Sequence, residues 1–164
     1  MAGRVRRVWL EPDSAPAFPP VIKALLEADL IVVGPGSLYT SILPNLLVHD
    51  LLAGMRASKA LKIYVCNIAT QEGETDSFTT YDHIRALEGH VGSDLFDVLL
   101  CNNNFSGTLN ATSTWVRVDE KFLSDDRAHT ADLADTAFPW RHDSQKLAQV
   151  IMDIYDERTG PLRQ

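Results

Sequence analysis

Gly34-Pro35-Gly36-Ser37-Leu38-Tyr39-Thr40-Ser41 directly follows the apolar run Ala28-Asp29-Leu30-Ile31-Val32-Val33. Here a β-branched strand empties into a glycine turn, and small hydroxyl residues open a helix behind it. Such an order offers an anion backbone N–H groups, close access past glycine and the positive end of a helix dipole. The anion most often held this way is a phosphate. The lysine of a GxxxxGK[ST] loop is absent, and so is a full GxGxxG, so neither common nucleotide fingerprint applies. The alternative is a tight strand-to-helix turn whose glycines serve backbone geometry alone.

Other segments carry weaker chemistry. In Asn67–Asp76, the acids Glu72, Glu74 and Asp76 alternate around Gly73 and can ligate Mg²⁺ or act as a base; equally, they can form a solvated loop that caps the next helix. Asn102-Asn103-Asn104 can read a base or a sugar through amide donors and acceptors, or simply end a strand. His83 and His90 lie seven residues apart on one helical stretch, and without a third ligand nearby they read as packing or surface residues. His142-Asp143 reads as a helix start. No GxSxG elbow occurs and Ser37 has no assigned base, so a Ser-His-Asp triad is not supported. Cys66 and Cys101 are the sequence's two cysteines, each near the end of an apolar strand, and they read as reduced buried thiols.

These residues need elements to hold them. Strands are expected at Val5–Leu10, Leu30–Val33, Leu61–Ile68 and Phe96–Cys101, with a shorter one at Thr114–Val118. Leu30–Val33 has no polar alternation and is expected to be buried on both faces, as in a parallel sheet. Helices are expected from about Pro20, from Ser37 with an interruption before Pro44, from an Asn45 cap, from about Thr80, and from Asp143 or Ser144. Strands alternating with helices at this spacing give an α/β domain with a mainly parallel sheet. In such sheets ligands collect beyond the carboxyl ends of the strands, where Gly34–Ser41, Asn67–Asp76 and Asn102–Asn104 arrive together, with Glu11–Ser14 as a fourth candidate.

At 164 residues the chain is one domain by size, frayed after about residue 157. Its formal net charge of −7 argues against a nucleic-acid or anionic-membrane partner. No stretch approaches the ~20 apolar residues of a membrane span, and the basic N-terminus lacks the apolar core of a signal peptide. A cytoplasmic location is expected.

Taken together, ADLIVVGPGSLYTSILPNLLV, YVCNIATQEGETDSFTTYDHIRALEGHVG, FDVLLCNN and the final HDSQKLAQVI resemble the second half of the CofD/YvcK-like family. The resemblance covers most of residues 4–155 and implies a Rossmann-like α/β core. It also implies one of two activities. One is that of the YvcK-type gluconeogenesis factors, which bind UDP-sugars such as UDP-N-acetylglucosamine and act on cell shape, wall synthesis and carbon metabolism. The other is transfer of a 2-phospholactyl group from a guanosine-linked donor to the deazaflavin precursor Fo, using Mg²⁺. The PNLLV and TQ-x-GET wording is similar to the YvcK side, so a nucleotide-sugar-binding regulator is the leading expectation.

On that analogy Gly34, Gly36, Ser37 and Thr40 would lie at the ligand's phosphates, and Asn67, Thr70, Gln71 and Asn103 would border the same cleft. The family's GGGTG-type loop and DDGGS segment occur nowhere in the sequence, and Ile68-Ala69 and Glu72 replace an expected Met-Thr and Pro. The chain therefore reads as the C-terminal part of the family domain. Self-association, or assembly with a complementing N-terminal half, is expected from its exposed sheet edges.

Overall fold

Runs of Leu, Ile and Val without polar alternation make the strands, and short connections lay them side by side. In the computed structural model, which describes residues 5–160, β1 (Leu30–Val33), β2 (Leu61–Val65), β3 (Val98–Asn102) and β4 (Ala128–Ala131) form one sheet in the order β1-β2-β3-β4. Every pairing is parallel, with Val32 opposite Ile63, Val65 opposite Leu100, and Cys101 opposite Thr130. The expected Rossmann-like α/β architecture is therefore the one observed.

The pleat sends alternate residues to two cores. Tyr64, Cys66, Leu99 and Cys101 face one side, where they meet a turn of π-helix (Leu38–Ile42), α2 (Leu43–Leu46), α3 (His49–Ala57) and α4 (Thr80–Val91). Ile63, Val65, Val98 and Leu100 face the other side and are covered by Leu147, Val150, Ile151 and Ile154 of α6 (Ser144–Thr159). Helix α1 (Pro19–Glu27) packs on α3, and α5 (Glu120–Leu123) near α4. Two side-chain caps fix the longer helices. Thr79 and Asp82 form a capping box at α4, and Asp143 accepts from the N–H groups of Gln145 and Lys146 at α6.

Several local expectations are corrected. Val5–Leu10 makes no strand: Val8 donates to the His90 ring at 3.1 Å and the Val5 carbonyl accepts from Tyr39, so side chains take the bonds a strand partner would have taken. Leu30–Val33 is not buried on both faces. It is an edge strand, and Val32 remains 39% exposed. Thr114–Val118 contributes an isolated antiparallel bridge between Ala69 and Trp115 in place of a strand.

Pro44 does not interrupt its helix. The preceding turn is widened to π geometry, with Ser37 O accepting from Ser41 and Ile42, and the wide turn accommodates a residue with no N–H to give. Asn45 then lies inside α2 and reaches back to Ser41 O at 2.7 Å, while Val48 precedes α3 without a side-chain cap.

Candidate functional site

All the strands end on one side of the sheet, and the segments that leave them line a cleft of about 640 Å³. Gly36, Ser37, Asn67, Thr70 and Gln71 border it, joined by Pro35 from the glycine turn. Gly34, Thr40 and Asn103 do not. Gly34 faces inward, with a φ of +95° and the Val65 carbonyl so close that a Cβ there would stand 2.6 Å from it. Thr40 is exposed and bonded to Ser37. Asn103 is exposed on the far side of β3, where its N–H bonds Ala131 O and its amide reaches Thr130.

The chain itself uses much of the bonding capacity of the glycine turn. Ser37 Oγ donates to Glu74 Oε2 at 2.5 Å and accepts from Thr40, whose hydroxyl also reaches Glu74 Oε1 at 3.4 Å. A carboxylate thus sits on the hydroxyls that open the helical turn. Asp76 folds back onto Gly73 N–H at 2.9 Å, where Gly73 has a φ of +78°, and Glu72 is exposed. These acids therefore do not converge, and among the described residues no group of three His, Cys, Asp or Glu side chains is placed to hold a metal. A divalent ion does not fit this trio.

Thr70 acts as a clip. It is buried, its N–H donates to Thr114 O, and the two threonine hydroxyls lie 3.1 Å apart. This clip holds the loop after β2 against the segment that begins at Thr114, leaving Asn67 and Gln71 on the cleft side at 3.5 Å from one another.

The opposite wall comes from a loop whose role the sequence hides. After β4 the chain turns through Asp135–Arg141, with Asp135 Oδ1 accepting from the N–H groups of Ala137 and Phe138. Trp140 (48% exposed), Arg141 and His142 from this loop line the cleft. Pro139 is buried against Gly107, where a φ of +101° and 2.5 Å between a would-be Cβ and the proline ring leave room only for glycine. That contact ties the Asn103–Ser113 loop to the Trp140 loop.

His142 is the most perturbed group of the cleft. Burial pushes its pKa down to about 4, opposed by a hydrogen bond to the Cys66 carbonyl. Its Nε2 is buried and has no partner among the described residues, an arrangement that costs about 1–3 kcal/mol. Cys66, just past β2, and Cys101 on β3 are buried free thiols that interact with one another, and burial raises the Cys101 pKa. His83 and His90 do not form a pair. His83 is fully buried, with Nδ1 2.9 Å from Thr79 O, whereas His90 bonds Val8 and Ala86.

Residues 1–158 match the family model described as 2-phospho-L-lactate transferase CofD. A gluconeogenesis factor of Listeria innocua is 52% identical over 98 residues, covering 60% of this chain and 30% of that protein. A putative gluconeogenesis factor of Nostoc is 39% identical over 166 residues, covering 93% and 36% respectively. A crystal structure of a upf0052 family member from Bacillus halodurans superposes with a TM-score of 0.81 at 32% identity, over 92% of this chain and 52% of that one. The chain spans about a third to a half of the length of the relatives it matches. No helix among the described residues is long and apolar enough to cross a membrane.

Proposed function

We propose, since this chain belongs to the CofD family, that its cleft binds a nucleotide-linked sugar such as UDP-N-acetylglucosamine, and that the protein acts as a gluconeogenesis factor regulating carbon metabolism and wall synthesis. The observation that carries the reading is the cleft itself. It lies beyond the carboxyl ends of the parallel strands and has the volume of a small-molecule site. Backbone and amide groups form one wall, and an accessible indole and a guanidinium form the other. Trp140 offers a face for a base or sugar ring, and Arg141 a cation for a diphosphate. The names of the relatives support the regulatory role.

Titration calorimetry of the chain with UDP-N-acetylglucosamine, UDP, GDP and GTP tests this. Selective saturable binding of the uridine ligands is the expected result. Guanosine-selective binding would move the assignment to the transferase named in the family description. Binding that requires the N-terminal half of a relative to be added would assign the site to the assembled pair.

Glu74 gives a sharper prediction. Its carboxylate occupies the hydroxyls of Ser37 and Thr40, so it repels any phosphate brought to that turn. Glu74→Gln keeps the shape and removes the charge. Affinity for UDP should then rise about tenfold, the ~1.4 kcal/mol expected of like charges a few ångströms apart in a partly solvated cleft. A drop in affinity would show instead that the ligand presents a donor or cation to Glu74.

A further inference from the structure

Asp135 is the one carboxylate lining the cleft among the described residues, and it shares its wall with Arg141. Their backbones are joined, since Asp135 N–H donates to Arg141 O at 3.0 Å. Their side chains are not, and neither enters an ion pair among the described residues. Arg141 instead lies over the Phe138 ring at 5.8 Å, and Phe138 packs edge-on against Trp140 with centroids 5.5 Å apart. Opposite charges that stand so near and leave each other alone are both available to a ligand.

Half of the Asp135 carboxylate is already committed. Oδ1 accepts from Ala137 N–H at 2.7 Å and Phe138 N–H at 2.9 Å, which fixes the side chain on its own turn. Oδ2 accepts from no described residue, and it is not sealed away. Among the described residues the buried side-chain atoms left without a partner are Nε2 of His83 and Nε2 of His142, so Oδ2 is accessible. An asparagine would close the same turn through its single oxygen. The second oxygen and its charge are what the turn leaves unexplained.

A carboxylate is acceptor-only. It repels phosphate, whose place is at Arg141. It also fits the uracil edge poorly, because N3–H is flanked by two carbonyl oxygens that would both face the carboxylate. A sugar hydroxyl carries no such neighbours, and the exposed indole of Trp140 in the same wall suits the apolar face of a sugar ring. We propose that Asp135 Oδ2 is the acceptor with which the cleft holds a hydroxyl of its ligand's sugar, on the ribose or on the attached hexose. This rests on the nucleotide-sugar reading above and deepens it: the wall from Asp135 to Arg141 sorts the ligand, hydroxyls to the carboxylate and phosphates to the guanidinium.

Calorimetry on the full chain and on Asp135→Asn tests this. The substitution keeps the turn's acceptor and replaces Oδ2 with a donor, so the melting temperature should stay within a few degrees. Affinity for UDP-N-acetylglucosamine should fall about tenfold, as expected for a hydrogen bond to a charged group. Ligands lacking one hydroxyl complete a double-mutant cycle. The native chain should lose about tenfold with one of them, and Asp135→Asn should lose almost nothing further with that same ligand. 2′-Deoxy- or 3′-deoxy-UDP in that role identifies the ribose; UDP-N-acetylglucosamine deoxygenated at C3, C4 or C6 identifies the hexose. Unchanged affinity of Asp135→Asn, or equal losses in both proteins for every deoxy ligand, overturns this proposal and spares the nucleotide-sugar reading. Guanosine-selective binding that Asp135→Asn abolishes also overturns it, since the carboxylate would then serve the paired N–H donors of guanine. Absence of binding by any of these ligands, with and without the N-terminal half of a relative, overturns both.

Discussion

Gly34→Ala should lower the melting temperature by about 10 °C, whereas Gly36→Ala, two residues on, should leave it almost unchanged. At Gly34 a methyl group would meet the Val65 carbonyl at 2.6 Å, on a backbone already at a φ of +95°. A left-handed conformation and an overpacked contact cost roughly 1–3 kcal/mol each, so about 3 kcal/mol is the expected loss. For a domain of this size that is the stated shift. At Gly36 the nearest atoms are Ile42 Cδ1 at 3.4 Å and Ser41 Cβ at 3.5 Å, which is ordinary contact.

Gly36 nevertheless borders the cleft, so its substitution separates the two readings of the glycine turn. Gly36→Val should fold and lose at least tenfold in nucleotide affinity if the ligand passes close to this backbone. Thermal melts and calorimetry on the two variants give the answer. A folded Gly36→Val chain with unchanged affinity would make Gly34–Ser41 a purely structural turn.

Stability should also fall steeply between pH 6.5 and pH 4. In the unfolded chain histidine titrates near 6.5, while folded His142 titrates at about 4 and His83 is also lowered, in both cases chiefly because burial disfavours the charged ring. Within that window the unfolded state binds protons that the native state refuses. Each such group removes about 1.4 kcal/mol per pH unit. His142 therefore accounts for about 3 kcal/mol, fully present above pH 7 and gone below pH 4. The lowered carboxylates Asp119, Asp125 and Asp132 act in the same direction but at more acid pH, as pH falls through their depressed native values. Urea midpoints at a series of pH values check this. His142→Gln should show a visibly shallower decline, and identical declines would remove His142 from the account.

The parts of the fold set by local pattern were legible in the sequence. Leu30–Val33, the Leu61 and Val98 strands, the Thr79-capped helix and the Asp143-capped helix follow from apolar runs and capping residues that need no distant partner. Where tertiary contacts decide, the pattern misleads. Val5–Leu10 reads as a strand, but its hydrogen bonds go to His90 and Tyr39. Ala128–Ala131, with no apolar run and no fully buried residue, is a strand because β3 offers it a register.

The site divides in the same way. Its glycine wall is announced by GPGS. The wall from Asp135 to His142 looks in sequence like nothing more than the approach to a helix, and a Trp-Arg-His run beside the cap was the only available signal. No spacing rule brings His142 to the Cys66 carbonyl, or sets Cys66 beside Cys101. Those neighbours exist only once β2, β3 and the last loop are in place.

The strand order has a consequence for how the chain is made. Because β1-β2-β3-β4 repeats the order of synthesis, each strand emerging from a ribosome finds its partner already built, and none has to wait for a later one. The sealing of the second face is the exception. Ile63, Val65, Val98 and Leu100 are covered by α6, which follows all four strands in the chain. Until that helix docks, the nascent sheet carries an oily panel open to chaperones and to neighbouring chains. The interval between the completion of β3 and the emergence of α6 is thus a hazardous one for this sheet, when a stall would leave that panel uncovered.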